Sequence, residues 1–134
     1  MKVFVTGVGG QLGHDVMDEL AKRGYEAIGS DVIASTDSKY PYIQLDITDS
    51  NSVEKVISKA APDVVIHCAA WTAVDAAEDE ENIPKVRAIN VDGTQNIANV
   101  CKKTRLQNDI YFHRLRFCQK RIESVYRSQS YLLE

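Results

Sequence analysis

Lys2-Val-Phe-Val-Thr-Gly-Val-Gly-Gly-Gln-Leu-Gly13 passes from a β-branched and aromatic run straight into glycines at positions 7, 9, 10 and 13. The run reads as a short buried strand and the glycines as a tight turn behind it. From Gln11 the apolar residues take helical spacing, with Leu12, Val16 and Leu20 on the expected inner face and Gly24 as the stop. A strand that ends in bare backbone and runs into a helix start aims amide N–H groups at one spot, which suits an anion. In Gly7-x-x-Gly10-x-x-Gly13 the spacing predicts one glycine for the turn, one for close approach of a pyrophosphate and one for packing of helix on strand.

Moving outward, a second strand is predicted over Tyr25–Ser30, ending at Asp31, and a third over Tyr42–Leu45, ending at Asp46. Asp31 follows the glycines by about 20 residues, the distance at which a carboxylate holds the hydroxyls of a ribose. A carboxylate there repels a 2′-phosphate and no arginine follows closely, so NADH is expected over NADPH. Lys39 is the nearby cation that could weaken that preference. Asn51 and Glu54 have the spacing of a capping box, and Val53, Val56, Ile57 and Ala60 supply the stripe of the helix behind it. After Pro62, Asp63-Val-Val-Ile-His67 is apolar enough for a strand covered on both faces. Pro84 opens another predicted helix, with a stripe through Val86, Ile89, Ile97 and Val100 and close approach at Gly93. The order βαβ–β–αβα predicts an incomplete α/β domain with a Rossmann-like, doubly wound parallel sheet.

Composition agrees with a packed domain. The 134 residues are 44% hydrophobic and 26% charged, which excludes disordered and collagen-like classes. No run approaches the roughly 18 apolar residues of a membrane span, so a cytoplasmic location and no membrane partner are expected, and the acidic balance of residues 1–103 opposes a nucleic-acid partner. Cys68, Cys101 and Cys118 are too few and too irregular for a disulfide framework or a zinc site, and no metal site is predicted. His14 and His67 lack ligand-like neighbours and read as structural. Glu78-Asp-Glu-Glu81 reads as a solvated face. Trp71 could border a substrate or fill core.

Thr6-Gly-Val-Gly-Gly-Gln-Leu-Gly13, Asp46-Ile47, Cys68-Ala-Ala-Trp-Thr-Ala-Val-Asp75 and Ile89-Asn-Val-Asp-Gly-Thr94 together resemble the extended short-chain dehydrogenase/reductases, and among them the dTDP-4-dehydrorhamnose reductase group. The resemblance covers residues 1 to about 103. It implies that Gly7, Gly10, Gln11, Leu12 and Gly13 form the pyrophosphate loop, that Asp31 takes the adenosine ribose, and that Asp46 and Ile47 take the adenine edge. Cys68, Ala69, Ala70 and Thr72 would line the cofactor, with Cys68 packing as a small hydrophobe. The implied reaction is NAD(P)H-dependent reduction of dTDP-4-dehydro-6-deoxy-L-mannose to dTDP-L-rhamnose, for polysaccharide biosynthesis. A nucleotide-sugar substrate goes with it, and pairing of two copies stays open. The alternative is a non-catalytic, nucleotide-binding regulatory subunit of the same fold.

The pattern breaks after Lys103. Residues 1–103 carry 10 Lys/Arg against 16 Asp/Glu, whereas 104–134 carry 6 against 3 and contain no glycine or proline. None of the tyrosines (25, 40, 42, 111, 126, 131) has lysine four positions on, so the Tyr-x-x-x-Lys pair that would protonate the ketone is absent and no catalytic residue is assigned. Gln107-Asn-Asp-Ile-Tyr-Phe-His-Arg-Leu-Arg-Phe117 can be encoded by a nucleotide string that, read one base later, spells Lys-Met-Ile-Tyr-Ile-Ser-Thr-Asp-Tyr-Val-Phe. That is the phrase the family resemblance leads one to expect there. Residues 1–103 are therefore expected to be the nucleotide-binding part and 104–134 an out-of-frame, inactive tail. The rival reading is a basic amphipathic helix with Leu115, Cys118, Ile122 and Val125 as its stripe.

Overall fold

The computed structural model describes residues 1–35, 39–104 and, as backbone, 107–109; the predicted stripe and basic residues of the tail lie outside the described residues. Five parallel strands, β1 (Lys2–Thr6), β2 (Glu26–Asp31), β3 (Tyr42–Gln44), β4 (Val64–His67) and β5 (Gln107–Asp109), stand in the order β3-β2-β1-β4-β5. Helix α1 (Gln11–Lys22) connects β1 to β2, α2 (Ser50–Ala60) connects β3 to β4, and α5 (Thr94–Thr104) precedes β5. This is the predicted doubly wound parallel sheet. The chain turns outward from β1 on one side, then crosses to β4 on the other, so the point where the winding reverses lies at the carboxyl ends of β1 and β4.

Two apolar clusters hold the layers. On one face Phe4, Leu45, Val53, Ile57, Val65, Ile97 and Val100 pack β1 and β4 against α2 and α5. On the other, Val3 and Val5 pack against Met17 and Leu20 of α1. Phe4 and Ile57 are completely buried, and each such side chain contributes about 1.5–3 kcal/mol from water exclusion. β4 was expected to be covered on both faces, but only Val65 and His67 are fully buried while Val64 and Ile66 are half-buried. The reason is placement: α1 packs chiefly over β1 and β2, and Ile66 meets only the margin of its cluster.

Three further expectations change. Leu12 is exposed, and the inner face of α1 is Gly13, Met17 and Leu20 with Val16 half-buried. The α2 cap is Asp49, whose carboxylate accepts the N–H groups of Asn51 and Ser52, so Asn51 lies inside the helix and forms no capping box. The Pro84 helix is not continuous. A short α3 (Val74–Ala77) and α4 (Ile83–Arg87) lead into a π-helical segment, Ala88–Gly93, before α5. The wider turn shifts the face between Ile89 and Ile97, leaving Val86 and Ile89 half-buried and Ile97 and Val100 in the core. A Cβ on Gly93 would lie 2.7 Å from the Ile47 side chain, so the predicted close approach is met.

Candidate functional site

The site grows from the turn between β1 and α1. Gly7 has φ +75°, and its amide donates to the Ser30 carbonyl at 2.8 Å. A Cβ there would lie 2.5 Å from the Ala69 nitrogen, so the turn is pressed against the end of β4. A Cβ on Gly13 would fall 2.2 Å from the Gly7 carbonyl oxygen. These two glycines let the turn and helix close on themselves and on the sheet. Gly10 is different. Its φ of −86° and ψ of 163° suit any residue, and a Cβ would meet only the Gly7 oxygen, at an ordinary 3.5 Å. It is the residue before α1, gives the helix no side-chain cap, and α1 has no acidic residue in its first turn. The amides of Gln11, Leu12 and Gly13 thus stand at a helix N-terminus that favours negative charge.

Asp31 ends β2 beside this turn. Its Oδ2 accepts the Gly9 N–H at 2.9 Å and its Oδ1 accepts the Val32 N–H at 2.8 Å. The Tyr42 hydroxyl lies against the carbonyls of Asp31, at 3.0 Å, and Ile33, and steadies the segment that follows. Burial and the neighbouring Asp31 charge push the Tyr42 phenol up, keeping it a donor. Lys39 is turned to α1: its Nζ donates to Asp18 Oδ1 at 2.9 Å, and the Tyr40 hydroxyl bonds the same oxygen. Tyr40 first, then Lys39, hold Asp18 down at about 2. A cavity of about 310 Å³ opens beside Asp31, between Gly9, His14 and Met17 on one side and Ile33 and Tyr40–Tyr42 on the other.

The other predicted residues lie at the same end of the sheet with different exposure. Asp46 is exposed and already accepts the Thr48 N–H and hydroxyl. Ile47 is not available through its side chain, which fills the core against Gly93, while its carbonyl accepts from Asn96 at 2.9 Å. Any adenine contact there falls to its backbone. Cys68 packs beside the α1 cluster, and burial pushes its thiol up, consistent with the packing role expected of it. Ala69 is half-buried; Ala70 and Thr72 are exposed on the loop after β4. That loop is pinned by Asn90 of the π-helical segment, whose Oδ1 accepts the Trp71 N–H at 2.7 Å and whose Nδ2 donates to the Trp71 carbonyl at 3.3 Å. Trp71 itself is half-buried and donates its indole N–H to the Ala73 carbonyl, so it is not a core filler.

Gly9, Tyr42 and Asn90 were not singled out from the sequence as parts of this end of the sheet. Gly9 sits inside the glycine run, but its bond reaches a residue 22 positions away. Among the described residues no group of His, Cys, Asp and Glu could hold a metal ion, and no helix is long and apolar enough to cross a membrane.

A parallel sheet wound both ways from β1, with a glycine turn and open helix N-terminus at its carboxyl end, defines a nucleotide-binding α/β fold of the Rossmann type. Residues 1–107 match the model of the family described as RmlD substrate binding domain, and the chain belongs to that family. It is 38% identical over 100 residues to dTDP-4-dehydrorhamnose reductase of Mycolicibacterium smegmatis, a match that spans 75% of this chain and 26% of that relative. The solved dTDP-4-dehydrorhamnose reductase of Bacillus anthracis, in complex with NADP, is similar at 32% identity and TM-score 0.66, covering 80% of this chain and 34% of that one. The Bordetella bronchiseptica enzyme WbmH, solved with NAD+, is similar at 27% identity and TM-score 0.65, covering 78% and 36%. The chain thus spans about a quarter to a third of the length of these relatives.

Proposed function

We propose that residues 1–103 bind a nicotinamide dinucleotide, with its pyrophosphate against the bare Gly10, whose own amide donates to the Gly7 carbonyl at 3.2 Å, and on the amides of Gln11 and Leu12, and its adenosine ribose on Asp31. The observation that carries this is Gly10. Gly7 and Gly13 are required by the fold, but at Gly10 neither backbone angle nor space calls for glycine. A bare position at a helix start with uncapped amides leaves room for an anion to approach the main chain. Asp46, the Ile47 backbone, Cys68, Ala69, Ala70 and Thr72 complete the expected lining. NADH is favoured over NADPH because the Asp31 carboxylate would face a 2′-phosphate. In longer relatives this unit would serve reduction of a nucleotide-sugar ketone, dTDP-4-dehydro-6-deoxy-L-mannose by family resemblance. Titration of NADH fluorescence with the purified chain tests the reading. Saturable enhancement is expected, and Gly10→Val should abolish it while costing only about 1 kcal/mol of stability at the helix N-cap; a folded chain with no uptake of either dinucleotide overturns it.

We further propose that the reading frame slips between about Lys103 and Gln107, so that 104–134 is foreign to the domain and the chain does not reduce the ketone. Gln-Asn-Asp is a poor strand sequence for a place beside β4, whereas the shifted frame reads Lys-Met-Ile at the same codons. Sequencing the coding DNA decides it: a string that does not spell Ile-Ser-Thr-Asp-Tyr-Val-Phe one base on overturns the slip. Turnover of the nucleotide-sugar ketone with NADH overturns the inactivity.

A further inference from the structure

His67 ends β4 almost completely buried, and both of its ring nitrogens are used. Nδ1 is 2.6 Å from the Thr6 hydroxyl at the end of β1, and Nε2 is 3.1 Å from the Thr94 hydroxyl at the start of α5. The Ala69 N–H donates to the same Thr6 oxygen at 3.4 Å. Nδ1 is the only described acceptor within reach of the Thr6 O–H, and in the arrangement that uses it Thr6 donates to Nδ1 while Nε2 carries the ring hydrogen and donates to Thr94. In that arrangement the bonds run from the Ala69 N–H to Thr6, to His67, to Thr94.

This bridge stands directly behind the glycine turn. Thr6 is followed by Gly7, whose missing side chain is what allows the Ala69 backbone to lie against it. The Cys68 N–H also donates to the Thr6 carbonyl at 3.1 Å. Nothing else among the described residues ties the side chains of β1, β4 and α5 together at this end with polar bonds. The bonds keep the Thr6 hydroxyl from rotating and hold Ala69 at one distance from Gly7.

We infer that His67 is a positioning residue for the dinucleotide site: a neutral imidazole that, through the Thr6 hydroxyl, sets the spacing between the glycine turn and the Ala69–Ala70 backbone where the cofactor would lie. The inference rests on the binding proposed above, and it adds a residue that touches no ligand. Burial pushes the imidazole down to about 4, so the neutral form persists at ordinary pH. A protonated ring would need both nitrogens to donate, which turns the Thr6 hydroxyl away from its only described acceptor.

The test uses the full chain. Nitrogen NMR of the imidazole at neutral pH should show Nε2 protonated and Nδ1 bare. His67→Leu and Thr6→Val should each weaken NADH binding about tenfold, about 1.4 kcal/mol, with unchanged far-ultraviolet circular dichroism. The double variant should lose no more than either single one, because both act through one hydroxyl. His67→Gln, which can still accept at one atom and donate from another, should recover part of the loss. A proton on Nδ1, unchanged binding in His67→Leu, or additive losses would overturn the inference. Should the unmodified chain bind no NADH, the function proposed above fails, and hydrogen exchange judges the brace alone. Faster exchange of the Ala69 amide in His67→Leu is expected, and wild-type exchange there overturns it.

Discussion

The Gly9 N–H donates to Oδ2 of Asp31 at 2.9 Å, so the carboxylate expected to hold a ribose also ties the glycine turn to the end of β2. Asp31 thereby does two things that substitutions separate. Asn retains an oxygen for the Gly9 amide but removes the charge and the bond from the Val32 N–H, whereas Ala removes all three.

Asp31→Asn should narrow the preference for NADH over NADPH at a stability cost of about 0.5–1.5 kcal/mol for the one backbone bond it loses. Asp31→Ala should cost roughly 1.5–3 kcal/mol of NADH binding, the value of hydrogen bonds to a charged group. Fluorescence titrations of both dinucleotides with the three proteins check this, and equal discrimination in wild type and Asp31→Asn would show that Asp31 does not read the ribose.

Gly10 and Gly13 should respond oppositely to alanine. At Gly13 the added carbon meets the Gly7 carbonyl and the Val8 backbone within 2.8 Å, so Gly13→Ala should destabilise the fold by at least about 1–3 kcal/mol. Gly10→Ala has room and should cost only about 0.5–1 kcal/mol in urea unfolding, the preference for glycine over alanine at a helix N-cap, while weakening dinucleotide uptake. Equal midpoints for the two variants would refute this division of roles.

Asn90→Ala removes both bonds to the Trp71 backbone and leaves its amide without that partner. A loss of about 1–3 kcal/mol is expected. Trp71 is the protein's single tryptophan, so its emission should move to longer wavelength as the loop after β4 loosens. Asn90→Asp, which keeps an acceptor for the Trp71 N–H, should lose less.

His67 also makes stability depend on pH, with a definite sign. Its folded value, about 4, lies below the ordinary 6.5, so between these the unfolded chain binds a proton that the folded chain refuses. Stability is complete above the unfolded value and is lost as pH falls through the window from 6.5 toward 4. From about pH 7 to about pH 5 the loss should be near 2 kcal/mol. Urea unfolding at the two pH values measures it, and His67→Leu should flatten the difference. Asp18, held at about 2, acts in a separate and more acidic window, contributing above its unfolded value and losing that contribution as pH falls toward 2.

Much of this architecture was legible along the chain because its signals are local. β1, the glycine turn and α1 occupy consecutive residues, and their dihedral needs and periodicity do not depend on distant contacts. Strand ends fell within a residue of expectation, and Asp31 fell beside the turn because a parallel β-α-β unit returns the chain there. Where two local signals competed, the choice went astray. Asp49 and Asn51 are both good caps, and only the observed reach of the Asp49 carboxylate to two amides separates them. Pro84 marked a helix start correctly, but the π-helical turn follows from packing and from the bonds between Asn90 and Trp71.

By itself the order of residues determined the first strand, the glycine turn and the helix behind it, the acid at position 31, and the change of character after Lys103. Tertiary structure alone decided that Ile47 is buried against Gly93, that Gly9 is held by Asp31, and that Thr6, His67 and Thr94 form one bonded bridge. Those pairs lie 22 to 61 positions apart. Local propensity carries no term for such pairs: a buried histidine finds its two hydroxyls only after sheet order and helix placement have brought three elements to one point.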